Sequence, residues 1–232
     1  PNTERFEARF LGGAEAVADG DPGYSLTGLV NVPLSDTVAV RANGFYRFDG
    51  GFIDSIGNNP IPSLTNPAIN VVDGTIVADG LNSLDRFGGR VAALFKPSEK
   101  LSVNLAVQLQ DIDSDAASTV DGDPASLEPV NGSLVQSRYQ SEFNDTKYRV
   151  YSGTVNWDVG AASLESITSF GKFEVDLQAD LAIATNLTGG PPLSSLVTFL
   201  FGNAQTRPLS AVLPQTTSTD KFTQELRLVS PK

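Results

Sequence analysis

From Leu101 to Gln110, every odd position is Leu or Val and every even position is Ser, Asn, Ala or Gln. A strand has a side-chain period of two, so this run builds one apolar face and one that water wets. Just upstream, Phe87, Gly89, Val91, Ala93 and Phe95 interleave with Arg86, Gly88, Arg90, Ala92 and Lys96, and Pro97-Ser98-Glu99-Lys100 joins the two runs. Two strands of about ten residues around a tight polar turn make a hairpin long enough to cross a bilayer. Strands of soluble sandwiches usually run about half that length.

No apolar run in the 232 residues is long enough for a transmembrane helix, but barrel strands hide their hydrophobicity in alternation. The chain has no Cys, hence no disulfide and no thiolate nucleophile or metal ligand. It has no His, which removes the commonest general base and zinc ligand. A net charge of −11 argues against nucleic acid as a partner. No enzyme, no cofactor and no metal site are expected. The chain starts at Pro1, contains no Met and shows no signal peptide, so it reads as an excised segment.

Eight strands are expected, near 4–16, 23–34, 38–53, 84–96, 101–112, 144–157, 162–178 and 219–229. From the second strand onward the connections alternate. Short turns fall at 35–37, 97–100 and 158–161; long loops fall at 54–82, 114–143 and 181–218. Pro60, Pro62 and Pro67 discourage pairing in the first long loop. Loops of about 30 residues are uncommon in compact soluble domains, whereas bacterial transmembrane barrels pair tight periplasmic turns with long extracellular loops. Arg9, Arg41, Arg47, Arg86, Arg90, Lys147, Arg149 and Arg227 are expected on the polar faces, toward a lumen. Tyr24, Tyr46, Phe48, Phe87, Phe95, Tyr148 and Trp157 lie near strand ends, where aromatic girdles would sit. The fold class is therefore all-β: an antiparallel, up-and-down transmembrane β-barrel segment of about eight strands, covering residues 1–232.

Asn31-Val32-Pro33-Leu34-Ser35-Asp36-Thr37-Val38-Ala39-Val40-Arg41 resembles the first periplasmic turn of TonB-dependent outer-membrane receptors, and Gly44 to Ile53 resembles its continuation. Phe95 to Leu101 is similar to the family's next periplasmic turn, and Thr223 to Pro231 to a later barrel strand. These stretches span nearly the whole chain in the family's order. The resemblance implies an outer-membrane location in a Gram-negative bacterium and import of a scarce nutrient, such as a ferric siderophore. It also implies as partners lipid, the TonB complex, an N-terminal plug domain and further barrel strands. The plug and the TonB box are absent, and Lys232 stands where an aromatic residue closes such barrels. The resemblance thus implies a piece of barrel that follows the plug.

Asp111, Asp113, Asp115, Asp121 and Asp123 have a spacing near that of a calcium loop, but Ala116 and Gly122 occupy the positions of its Gly and Glu. A solvated loop is the better reading. The lumenal arginines could guide an anionic substrate. They are expected instead to pair with carboxylates of a plug, or with Glu7, Glu165 and Glu225. Gly12-Gly13 and Gly50-Gly51 are read as bulges or bends, because no helix pattern follows them. Phe45 breaks its strand's alternation, which a bulge or an inward aromatic would explain. No ligand-binding residue can be singled out. The alternatives are an autonomous small pore or structural barrel of eight strands, a soluble β-sandwich carbohydrate-binding module, and a carboxylate enzyme.

Overall fold

The computed structural model describes residues 1–58, 72–123, 125–129, 131–138, 141–180 and 212–230. The chain is all-β, in the order β1 (Glu7–Glu15), β2 (Gly23–Ser35), β3 (Val38–Asp49), β4 (Asp54–Asn58), β5 (Val72–Ala78), β6 (Leu84–Ser98), β7 (Leu101–Ser114), β8 (Val135–Arg138), β9 (Phe143–Asp158), β10 (Ser163–Asp180) and β11 (Val212–Val229). Eight of these form one antiparallel sheet in the order β1-β2-β3-β6-β7-β9-β10-β11, which is the up-and-down pattern read from the alternation. Short turns force neighbours to pair.

Local chemistry fixes each turn. The Ser35 hydroxyl accepts from the backbone N–H of Thr37 at 3.2 Å, and that of Ser98 from Lys100 at 3.3 Å. Asp158 accepts from Gly160 at 2.7 Å, with Gly160 at a φ of 86°. In each case a short polar side chain closes the turn on the N–H two residues on.

Three expectations about the connections need correction. Residues 54–82 hold β4 and β5, and 114–143 hold β8; together these form a second sheet in the order β5-β4-β8. Its β4–β8 pairing is parallel and joins two separate connections. The last strand begins at Val212, so 212–218 is strand rather than loop. Pro214 sits within it, opposite Gln178; β11 is an edge strand, where a missing N–H is tolerated. Residues 59–71 and 181–211 of the expected loops lie outside the described residues. β3 stops at Asp49 instead of 53. A Cβ on Gly50 would collide with the Asp21 carbonyl oxygen, and one on Gly51 with that of Gly80. The chain bends there because three backbone segments meet. Gly12 and Gly13, by contrast, pair in regular register with Leu26 and Ser25, so they form no bulge. Phe45 also keeps register, opposite Thr27 and Gly88, and its ring fills the space a Gly88 side chain would take.

The buried apolar side chains among the described residues are small or few: Ala39, Ala92 and Ala106 on the sheet, Ile53, Ile56 and Ala116 in the connections. A sandwich of this length would bury Val, Leu and Phe between two sheets. Here these residues stay exposed along one face of the large sheet: Phe10, Leu26, Val91, Leu105, Val107, Leu109, Tyr151, Phe222 and Leu226 among them.

Candidate functional site: an apolar wall, a charged inner face and a two-loop cap

The register sorts every strand residue onto one of two faces. Along the hydrogen-bonded rows of the apolar face, Val30, Ala42, Val91, Val107, Tyr151, Phe170 and Phe222 form one line across seven strands. Four residues nearer the long connections, the row reads Leu26, Tyr46, Phe87, Asp111, Lys147, Glu174 and Ser218. That row is apolar on β2, β3 and β6 and polar from β7 onward. The upper edge of the apolar band therefore runs obliquely. It is marked by Tyr24, Phe48, Phe87, Tyr151, Phe170 and Phe222. The row of Tyr24 crosses β7 at Asp113 and the row of Phe222 crosses it at Val107, six residues apart over six strand steps. The lower edge behaves alike. Phe95 shares a row with Val103, and Trp157, two strands on, shares one with Leu101. The upper edge is level from Tyr24 to Phe48 and from Tyr151 to Phe222 and falls between β3 and β9. The mean drop of one residue per strand, with a rise of about 3.3 Å and a spacing of about 4.8 Å, tilts the strands about 35° from the band's normal.

On β9 the sequence expectation reverses in part. Lys147 and Arg149 lie on the apolar face, and Tyr148 on the polar face against Phe173, with ring centroids 6.2 Å apart. The apolar parity of β9 switches from even positions (Tyr148, Val150) to odd ones (Val155, Trp157), while the ladder runs without a bulge. Both cations sit beyond the aromatic edge. Arg149 grips Asp111 with both terminal nitrogens, and Lys172 lies 2.7 Å from Glu174.

The apolar band has one polar seam. Thr168 donates to the Gln224 side-chain oxygen at 2.5 Å, and the Gln224 amide donates to the Ser166 hydroxyl at 3.0 Å. Gly153 lies opposite Thr168 and leaves the floor of a shallow groove of about 660 Å³ between Leu105, Tyr151 and Phe170.

The opposite face carries the charges. Arg47 pairs with Glu15 (3.1 Å) and Asp49 (2.5 Å), Arg86 with Asp49, and Arg227 with Glu225 (2.6 Å) and Glu165 (3.5 Å). Glu7 lies 3.9 Å from Arg9 and 4.0 Å from Arg41. The structure thus brings Glu7, Glu165 and Glu225 to cations as the sequence suggested. Asn31, fully buried on this face, ties down the start of the chain. Its amide donates to the carbonyls of Asn2 and Arg5, and its oxygen accepts from the Asn2 N–H, all within 2.9 Å.

At the end opposite the short turns, the long connections interlock. Asn82 accepts the N–H groups of Phe52 (2.7 Å) and Ile53 (2.8 Å) and donates to Ser118 at 3.0 Å, so one buried amide links two connections. The Asp54 N–H reaches the Leu134 carbonyl at 2.9 Å. Gln136 on β8 is 1% exposed, and neither of its amide atoms has a partner among the described residues. Nothing in the sequence singles out Asn82 or Gln136 beyond their polar character in a turn-rich stretch.

The five aspartates of the 111–123 stretch are not brought together. Asp111 serves Arg149, Asp115 accepts from Ser83, Asp121 from Asn131, and Asp123 from the N–H groups of Ala125 and Ser126. Those N–H groups stabilise the Asp123 carboxylate and hold its pKa below the usual range. Among the described residues no group of three or more acidic side chains is arranged to hold a metal ion, and no helix is long and apolar enough to cross a membrane. The chain was compared with family models, curated proteins and solved structures, and none of them matches it.

Proposed function

We propose that this chain is part of the membrane-spanning wall of an outer-membrane TonB-dependent transporter, one that imports a scarce nutrient such as a ferric siderophore. The oblique apolar band carries the reading. Two aromatic edges descend in the same direction by an average of one residue per strand, and the mean slope of about 35° lies where transmembrane barrel strands tilt. A horizontal slab of hydrocarbon cuts a tilted sheet along such a line, whereas solvent or a packed sheet imposes no common slope. The exposed Leu, Val and Phe side chains then face lipid, the Arg-rich face lines the lumen, and the interlocked connections lie outside the cell. The resemblance at residues 31–53, 95–101 and 223–231 supports the receptor family over other barrels. The partners are outer-membrane lipid, the remaining barrel strands, the plug, TonB through the plug, and a small-molecule chelate.

The eight strands of the large sheet favour a second reading, since eight is the smallest number that closes a transmembrane barrel. In that reading β1 and β11 would pair; they do not. Outer-membrane fractionation and heat-modifiable gel migration of the full-length parent separate both readings from a soluble module. Growth of a strain lacking the gene, on a panel of ferric chelates and sugars, then tests transport. Unimpaired growth and uptake on every member of the panel sinks the transporter reading.

A further inference from the structure

We infer that the two connections of the cap, 50–83 and 115–142, form one cooperative unit keyed by Asn82. The unit stays assembled or opens as a whole, while the wall beneath it stays folded. The coupling stands on contacts within the cap; the barrel reading adds only that the unit faces the outside of the cell.

The first link is the small sheet. β4 lies in its middle, with β5 of the same connection on one side and β8 of the other connection along its second side. The parallel ladder sets Asp54 against Val135, Ser55 against Gln136 and Ile56 against Ser137, and the Asp54 N–H extends it to the Leu134 carbonyl. Among the described residues β8 has no other strand partner, so it is a strand only while β4 holds it. Asn82, 7% exposed, is the second link. Its oxygen accepts from Phe52 and Ile53 and fixes the bend that leads into β4, while its amide holds Ser118 of the other connection. A third link lies at the root, where the Ser83 hydroxyl donates to Asp115 at 2.7 Å and the Asp115 N–H reaches the Ser83 carbonyl at 3.3 Å.

The interior of the cap makes these links interdependent. Ser55, Asn82, Asp121 and Gln136 are buried there beside Ile53, Ile56 and Ala116. So little apolar burial contributes little stability, and each hydrogen bond carries a large share of what remains. When one link breaks, water reaches the polar groups of the next, and a closed polar network fails as a set. The wall rests instead on the long ladders that join β6, β7 and β9, so the cap can open without it. Binding energy spent on either connection is therefore shared by both.

Hydrogen exchange of the full-length parent in lipid nanodiscs, read by mass spectrometry, tests the coupling. Asn82→Leu should speed exchange at residues 132–138, which lie outside its own hydrogen bonds, in step with 52–56. The expected acceleration is roughly tenfold or more, as the loss of one or two hydrogen bonds gives, with β6 and β7 as protected as before. Asn82→Asp keeps both acceptor bonds, and the Ser118 hydroxyl can turn to donate to it, so exchange should stay near the starting rate. Ser118→Ala is milder and should speed both connections to a smaller, equal extent, which keeps the test decisive if Asn82→Leu does not insert. Acceleration confined to 52–53 would show two independent loops and overturn the inference. Loss of protection through β6 and β7 as well would show that cap and wall open together, and overturns it too. Either result leaves the barrel reading standing, because membrane fractionation decides that separately.

Discussion

On β2, β3, β6 and β7 the apolar face is unbroken, while on β9, β10 and β11 the same face of the same sheet is interrupted. The row through Leu105 makes the contrast plain: Val32, Val40, Ala93 and Leu105 on the first four strands, then Gly153, Thr168 and Gln224. If one slab of hydrocarbon covers both regions, it meets side chains with nothing to hydrogen-bond in the first and a closed hydrogen-bonded set in the second. Backbone ladders solve the problem of polar groups in lipid by pairing every donor internally. The Ser166–Thr168–Gln224 set applies the same solution to side chains. An apolar wall can therefore admit polar residues, provided that they satisfy one another. Their presence does not mark a wet surface.

The comparison breaks most visibly under charge. Leu105→Arg should cost about 2–4 kcal/mol in the full-length parent if the site lies near the bilayer midplane. Gln224→Arg should cost less, since Ser166 and Thr168 offer the guanidinium partners. Denaturant unfolding of protein refolded into lipid vesicles measures both. Equal costs at 105 and 224 would remove the distinction between the two regions.

A smaller effect sharpens the role of the seam. Gln224→Ala strands the Thr168 hydroxyl and should cost about 1 kcal/mol, as the loss of a side-chain hydrogen bond does. Replacing Thr168 by Val and Gln224 by Leu together should recover most of that loss, and the double-mutant cycle reads the coupling directly. Additive losses would mean that the two side chains do not depend on each other.

How legible this was in the sequence follows the same division. Leu101 to Gln110 declared its strand, its faces and its partner, because alternation, length and turn chemistry agreed. On β9 they did not agree: Lys147 and Arg149 alternate with Tyr148 and Val150, yet the parity changes before Val155. Only the continuous ladder shows that the cations share a face with Trp157. The reason is physical, since beyond the aromatic edge both faces of a strand meet polar surroundings and alternation loses its meaning. β4 and β8 were unreadable for another reason. Strands of five and four residues carry little pattern, and their parallel pairing joins connections far apart in the chain. The inner ion pairs were legible as a type, acids facing arginines, while the hub at Asn82 and the clamp at Asn31 were not. An Asn in a loop or strand looks the same whether it is solvated or buried.

At the junction of the two regions, Gly153→Ala should have a small and favourable effect. A Cβ there would meet the Leu105 Cδ2 at 3.2 Å, the movable end of a flexible side chain. The backbone is in an ordinary strand conformation, so the loss of unfolded-state freedom should stabilise by about 0.5 kcal/mol. Destabilisation instead would show that the groove over Gly153 is held open by something that needs it.

The least energetic probe separates lipid from water without changing stability. Nitroxides at 104 and 105 should respond oppositely, 105 to dissolved oxygen and 104 to a water-soluble relaxant, because these residues take opposite faces of β7. Positions 223 and 224 on β11 repeat the arrangement, with Thr223 on the polar face beside Ser169 and Gln224 on the other beside Thr168. If the seam is covered by hydrocarbon, 224 should still favour oxygen over the relaxant, with a contrast somewhat weaker than at 105. A contrast equal to that at 105 would mean that the polar set leaves no trace in the surrounding lipid. Relaxant reaching 224 as readily as 223 would mean that water enters the seam. The band would then end at β7, and its upper edge would keep only the two-residue drop from Tyr24 to Phe87.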